Sequence, residues 1–422
     1  MPASAKVYID IDTPAFRRIN LAVPAFRNDG TIEDAEAGRR IVEIIGEDLS
    51  TTSYFRVLDP KSYLDDPRRA RSRGEPVDFR KWTLINAEIV LFGGYRVEGS
   101  RLILDARIYD PTQGKAIGGR VYEGARSELP TLVHRFVNDV IYILTGQRGI
   151  FETRIAFVTT EYGAKEIAVM NFDGTNPKQL TRSGSVTVSP SWRPDGNALA
   201  FTSYRDGRPW LYLLDLATGE TRRLSGQDGL NIGARWSPEG QRLALTLSKD
   251  GNSELYAMSA DGRNLSRLTY NWGIDVSPAW SPDGTQVVFV SDRSGSPHLY
   301  KMDLSGGEDA ERLTYSGTFV SSPAWSPRGD WIAYSARVAR MGFQIFLISP
   351  DGLELRQLTN IRADNEGPTW SPDGSMIAFS SNRSGRQQIH VMNADGTNVR
   401  QLTSGPGDHT LPAWSPIGSP EP

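Results

Sequence analysis

The 422-residue chain sets 47 Lys and Arg against 50 Asp and Glu, a formal net charge of -3, so nothing in its balance pulls it toward nucleic acid or an anionic membrane. It has no cysteine, which excludes disulfides and thiolate metal sites, and no run of about 18 apolar residues that would mark a transmembrane helix. The length suits two or three domains, and 41 Gly with 26 Pro signal many turns.

Residues 6–12, Lys-Val-Tyr-Ile-Asp-Ile-Asp, alternate as a strand does, and Pro14 cuts them off from the next strand. They read as an N-terminal arm over residues 1–13. Arg18 to Phe26 is a more apolar strand. Thr31-Ile-Glu-Asp34 resembles a capping box, with a helix continuing through Ala35, Ile41, Ile44, Ile45 and Leu49. A short strand comes after it at Phe55–Leu58. Arg68, Arg69, Arg71 and Arg73 fall in a polar stretch that reads as a solvated loop, with an anion site as the sharper alternative. A helix near Phe79–Asn86 and strands near 88–97, 101–110 and 115–123 come next. Ser127 opens the clearest helix: Leu129, Leu132, Val133, Phe136, Val137, Val140, Ile141 and Leu144 make one stripe, and Gly146 caps it. Residues 14–148 therefore read as an α/β domain.

The rest of the chain, 152–418, repeats. Tryptophan followed by x-Pro-x-Gly recurs at Trp192, Trp236, Trp280, Trp325, Trp370 and Trp414, at steps of 44, 44, 45, 45 and 44 residues. Leu180-Thr, Leu224-Ser, Leu268-Thr, Leu313-Thr, Leu358-Thr and Leu402-Thr keep the same step. Between the markers lie a small apolar strand such as Val287-Val-Phe289, a Gly loop, and a third strand such as Leu299-Tyr-Lys301. A period in the forties with four short strands predicts the blades of an all-β propeller with WD40-like repeats. The ends complement each other. Ile155-Ala-Phe157 is second-strand sequence with no Trp strand before it, and Trp414 closes a Trp strand with no second strand after it. Together they make a sixth blade, closed by the C-terminal strand, which removes two exposed sheet edges.

Catalytic signatures are missing: no Gly-x-Ser-x-Gly elbow, His-Glu-x-x-His, phosphate loop or EF-hand. Of four histidines, His134 lies in the long helix, His390 reads as structural, His298 precedes a third strand, and His409 is a surface candidate. The Trp and Tyr/Phe series read as core. Propeller sites gather at the mouth of the central channel. If the Trp strand is innermost, the loops just before each Trp strand form that mouth. Their candidate contacts are Thr187, Asn231, Asp275, Thr318, Phe319, Asp364, Glu366 and His409.

The order of an α/β domain and then six Trp-Ser-Pro-Asp-Gly blades resembles the TolB family of the Tol–Pal system. Ala22-Val-Pro-Ala-Phe26, Arg154-Ile-Ala-Phe157 and the closing Pro412-Ala-Trp-Ser-Pro416 carry the likeness. The resemblance implies a non-enzymatic, monomeric periplasmic adaptor. It would bind the lipoprotein Pal on the channel face, where colicins use an overlapping site, and would reach the membrane only through partners, other outer-membrane proteins among them. It would support outer-membrane integrity and invagination during cell division. The extreme N-terminus would engage TolA, which by position points to Lys6, Tyr8, Asp10 and Asp12. Ala3-Ser-Ala5 has the small-x-small form of a cleavage site, consistent with a leader removed or omitted. Alternatives are a propeller that gates a hydrolase, which would need a nucleophile elbow, and a lyase-type propeller with a His-held metal. No cofactor is expected, with Ca²⁺ held by Asp364, Glu366 or Asp408 as the alternative.

Overall fold

The computed structural model describes residues 18–30, 34–52, 54–66, 77–305 and 309–418. The arm at 1–13 and the arginines at 68, 69, 71 and 73 lie outside the described residues. The chain divides into two compact units, Met1–Glu152 and Thr153–Pro422. Among the described residues no helix is long and apolar enough to cross a membrane.

The first unit is a mixed sheet with helices. Strands β1 (Ile19–Ala22), β2 (Arg27–Asn28), β3 (Phe55–Val57), β4 (Ile89–Glu98), β5 (Arg101–Asp110) and β6 (Lys115–Ala125) run in the order β3-β1-β4-β5-β6, with β2 beside β4. The pairs β1–β3 and β1–β4 are parallel, while β4–β5–β6 is an antiparallel meander. The apolar segment expected over 18–26 is a strand only from Ile19 to Ala22, with Pro24, which cannot donate to the ladder, between it and β2. Helix α1 (Ala35–Thr51) starts one residue after the proposed box: Asp34 is its N-cap and accepts from the Ala37 N–H. The helix expected near 79–86 is a five-residue turn, α2 (Arg80–Leu84), which buries Trp82. Helix α3 (Leu129–Thr145) carries the predicted stripe, every member of it buried, and ends at Gly146 with φ 74°. His134 Nδ1 meets the Asp48 carboxylate at 2.7 Å inside this unit, a structural role.

The second unit is the predicted six-bladed propeller. Five sheets follow the chain; the sixth joins His409–Trp414 to Arg154–Thr159, Glu166–Asn171 and Lys178–Gln179, with Trp414 opposite Ile155. The Trp strand lies at one edge of every sheet and runs beside the Trp strands of neighbouring blades, so it is innermost.

The core lies between blades rather than within them. Trp280 packs on Ala244 and Leu255 of the preceding blade as well as on Val287, Phe289 and Tyr300 of its own. Its indole N–H donates to the Arg235 carbonyl at 3.0 Å. Trp192 and Trp370 make the same blade-to-blade bond, to Ala413 and Ala324. Trp325 departs from the series: it is only partly buried, and its N–H reaches no farther than Gly329 of its own turn, at 3.5 Å. The second marker also has a mechanism. The Thr hydroxyls of Thr181, Thr269, Thr314, Thr359 and Thr403 accept from the backbone N–H of Ile167, Leu255, Leu299, Ile345 and Ile389 at 2.8–2.9 Å. Each satisfies a third-strand donor just beyond the end of the short outer strand.

Candidate functional site

Six innermost strands enclose a partly open central cavity of about 420 Å³. Each has one extra residue relative to its partner, a β-bulge two to four residues before its Trp. The bulge places Ser189, Gly233, Ser277, Ser322, Gly367 and Leu411 at positive φ, from 50° to 65°, in a ring around the cavity. A proline follows in five blades (Pro190, Pro278, Pro323, Pro368, Pro412), and Ala234 in the sixth. Proline within a sheet is confined to edge strands and bulges, and these prolines sit at both, so they were the sequence sign of the ring.

In each antiparallel blade, the loop before the innermost strand and the loop between the second and third strands emerge at the same end. That end is the channel mouth. Thr187, Asn231, Asp275 and His409 are the first residues of innermost strands, and all four are buried. They hold the mouth loops from beneath. The Thr187 hydroxyl meets Ser183 and Ser203 at 2.9 and 3.0 Å. Asn231 accepts from Ser225 and from the Gln227 N–H, and donates back to the Gln227 carbonyl. Asp275 accepts from Arg293 at 2.7 Å; even so, burial pushes its carboxyl above the usual range. The equivalent position in the Trp370 blade is Asn365, which accepts from Ser381 and Arg383.

His409 is a correction: read from sequence as a surface candidate, it is 3% exposed and packs on the Phe157 ring at 5.3 Å between centroids. Burial lowers its pKa, although Glu161 at 3.7 Å and Asp408 pull the other way. The cause is register. The pre-Trp segments chosen from sequence run into the strand, and the residue at which the strand starts points into the sheet.

Thr318 and Phe319 do reach solvent, with Phe319 set edge-on against Phe343 at 5.8 Å. Asp364 and Glu366 are partly buried neighbours. Asp364 accepts from the Phe343 N–H at 3.0 Å. Burial first, and then the Asp364 charge, raise the Glu366 carboxyl. Among the described residues no three His, Asp or Glu side chains gather as metal donors. Lys6, Tyr8, Asp10 and Asp12 lie outside the described residues.

Sequence reasoning named Phe319 but missed the other aromatic residues of the mouth. Tyr270, Trp272 and Ile274 in one loop and Tyr315 in the next are exposed, Trp272 and Tyr315 each to 76%. Tyr162 and Tyr204 add rings from loops between second and third strands. At the opposite end the exposed large apolar side chains of the described residues are Leu353, Leu355 and Val399. Two of the mouth rings are pre-positioned. In Arg267-Leu-Thr-Tyr270 and Arg312-Leu-Thr-Tyr315 the guanidinium lies 4.6 and 5.0 Å from the ring centroid and donates to the Thr269 or Thr314 carbonyl. The signal was an aromatic directly after the Leu-Thr marker.

Residues 142–418 match the TolB beta propeller domain, and residues 7–117 match the TolB amino-terminal domain. The chain belongs to the TolB family. Over 210 residues it is 40% identical to the Tol-Pal system protein TolB of Desulfosudis oleivorans, covering 50% of this chain and 48% of that one. A second TolB, from Syntrophotalea carbinolica, is 43% identical over 154 residues, 36% of each chain. The chain thus spans about half the length, or less, of these curated relatives. The crystal structure of TolB from Acinetobacter baumannii superposes with a TM-score of 0.81 at 26% identity, covering 95% of this chain and 97% of that one. A TolB propeller of six blades, closed by the C-terminal strand, is therefore the setting of the aromatic mouth.

Proposed function

We propose that this TolB-family chain is a non-enzymatic adaptor of the Tol–Pal system in the periplasm, and that the channel mouth is its docking face for Pal. One observation carries the reading: exposed aromatic and aliphatic side chains concentrate on the mouth loops, and Tyr270 and Tyr315 each carry an arginine guanidinium over the ring. Interface hot spots favour such rings, because they bury large apolar area at little entropic cost. The buried residues Thr187, Asn231, Asp275 and His409 then serve the interface by fixing the loops, while Thr318, Phe319, Asp364 and Glu366 meet the partner. The relatives' name, Tol-Pal system protein TolB, supports the system and a cell-envelope location. The arm, with Lys6, Tyr8, Asp10 and Asp12, is the proposed TolA segment, and support during cell division is the proposed role.

Calorimetric titration of the full chain with purified Pal tests it. Phe319→Arg and Trp272→Ala should each weaken binding about thirtyfold or more, the loss for a hot spot of about 2 kcal/mol. Leu353→Arg at the opposite end should leave it unchanged. Unchanged affinity in both mouth variants would overturn the docking face.

A further inference from the structure

Around the cavity, the residue immediately before each tryptophan is Ser191, Arg235, Ala279, Ala324, Thr369 or Ala413. Five are small or short, and one is arginine. Arg235 is the only charged residue lining this cavity among the described residues. Its guanidinium donates to the carbonyl of its own neighbour, Ala234, at 3.1 Å, and no carboxylate of the described residues pairs with it. Burial pulls its guanidinium below the usual value, with no acidic group acting against it. Arg235 keeps part of its surface open to this cavity, so its partly desolvated guanidinium can be reached by, and gains from, an anionic partner. In the next residue along the strand, the buried indole N–H of Trp236 has no acceptor among the described residues, whereas those of Trp192, Trp280 and Trp370 bond across to the neighbouring blade. Ser189, Ser277 and Ser322 line the same cavity and bring hydroxyl donors.

We infer that the central channel is an anion site in which Arg235 holds a carboxylate. A single cation with neutral donors around it matches a monoanionic carboxylate better than a phosphate dianion, whose second charge would stay uncompensated. The guanidinium fork fits the two carboxylate oxygens side by side. About 420 Å³ falls within the range of small-ligand sites, roughly 300–1,000 Å³, and admits a small organic acid or an acidic side chain. The site is independent of what docks on the mouth loops.

Three blades carry alanine at the equivalent position, so Arg235→Ala keeps the repeat's own solution and should fold. Melting of the full chain, followed by tryptophan fluorescence, would be measured with sodium acetate, sodium succinate, or a short peptide containing one glutamate. Sodium chloride at equal ionic strength and the glutamine peptide are the controls. In the native chain a carboxylate probe should raise the propeller's melting temperature saturably, by about 3 °C or more. Arg235→Ala should abolish that rise and, without probe, melt no lower than the native chain. Arg235→Lys should keep a weaker response. A rise with free acids identifies a small acid as ligand; a rise with the glutamate peptide alone identifies an acidic side chain. Equal effects of chloride and carboxylate, a full response in Arg235→Ala, or no response to any probe would overturn the assignment.

Discussion

Replacing Trp280 by alanine tests whether the tryptophans join blades. Trp280 is 7% exposed. Burying a tryptophan removes roughly 150–250 Å² from water, which at ~25 cal/mol per Å² is about 4–6 kcal/mol as an upper figure. Its N–H bond to the Arg235 carbonyl adds about 1 kcal/mol, and Arg242 stacks over the ring at 5.0 Å. Partial collapse of the site returns some of this, so a loss of about 4 kcal/mol is expected, within the 3–5 kcal/mol found for large aromatic truncations. Trp325 is the internal control. It is part-exposed and bonds weakly to its own turn, so Trp325→Ala should cost about 2 kcal/mol. Urea denaturation of the full chain would be read on the propeller transition, since a chain of two compact units need not melt as one. Equal losses at the two positions, or less than about 1 kcal/mol at Trp280, would refute the blade-joining role.

Three further outcomes are expected. His298, His390 and His409 are buried, and desolvation is the main cause that holds each below the ordinary 6.5. As pH falls below 6.5 the unfolded chain takes up their protons before the folded one does. Stability present above that pH should therefore be lost on acidification; the His409 ring nitrogens have no hydrogen-bond partner among the described residues, and His409→Leu should soften the loss in melts between pH 7.5 and 5. Leu411 holds φ 50°, which costs a leucine roughly 1–2 kcal/mol, so Leu411→Asn should raise stability by about 0.5–1 kcal/mol in denaturant melts. Deleting residues 1–13 should leave the melting temperature within about 2 °C of the full chain while abolishing TolA binding in a pull-down; intact TolA binding would contradict the proposed arm.

The blades were legible because two markers, Trp and Leu-Thr, keep one step, and each does a repeated physical job. Closure was legible because Ile155 and Trp414 begin and end complementary half-blades. The bulges went unread although Pro190, Pro278, Pro323, Pro368 and Pro412 announced them, since strand alternation alone says nothing about an inserted residue. The mouth loops were legible as segments but blurred residue by residue. Thr187, Asn231 and Asp275 look like loop polar groups in one dimension, whereas the sheet starts at them and turns them inward. Tyr270, Trp272 and Tyr315 looked like more members of an aromatic-rich repeat. Only the third dimension shows that they have no core to enter.

Hydrogen exchange of the full chain with and without saturating Pal tests the docking face most directly. Slowed exchange is expected in the mouth segments around 184–186, 270–274, 315–319 and 361–364, with the far-end turns at 350–355 and 394–399 unchanged. Protection confined to the far-end turns, with the mouth segments exchanging as in the free protein, would contradict it.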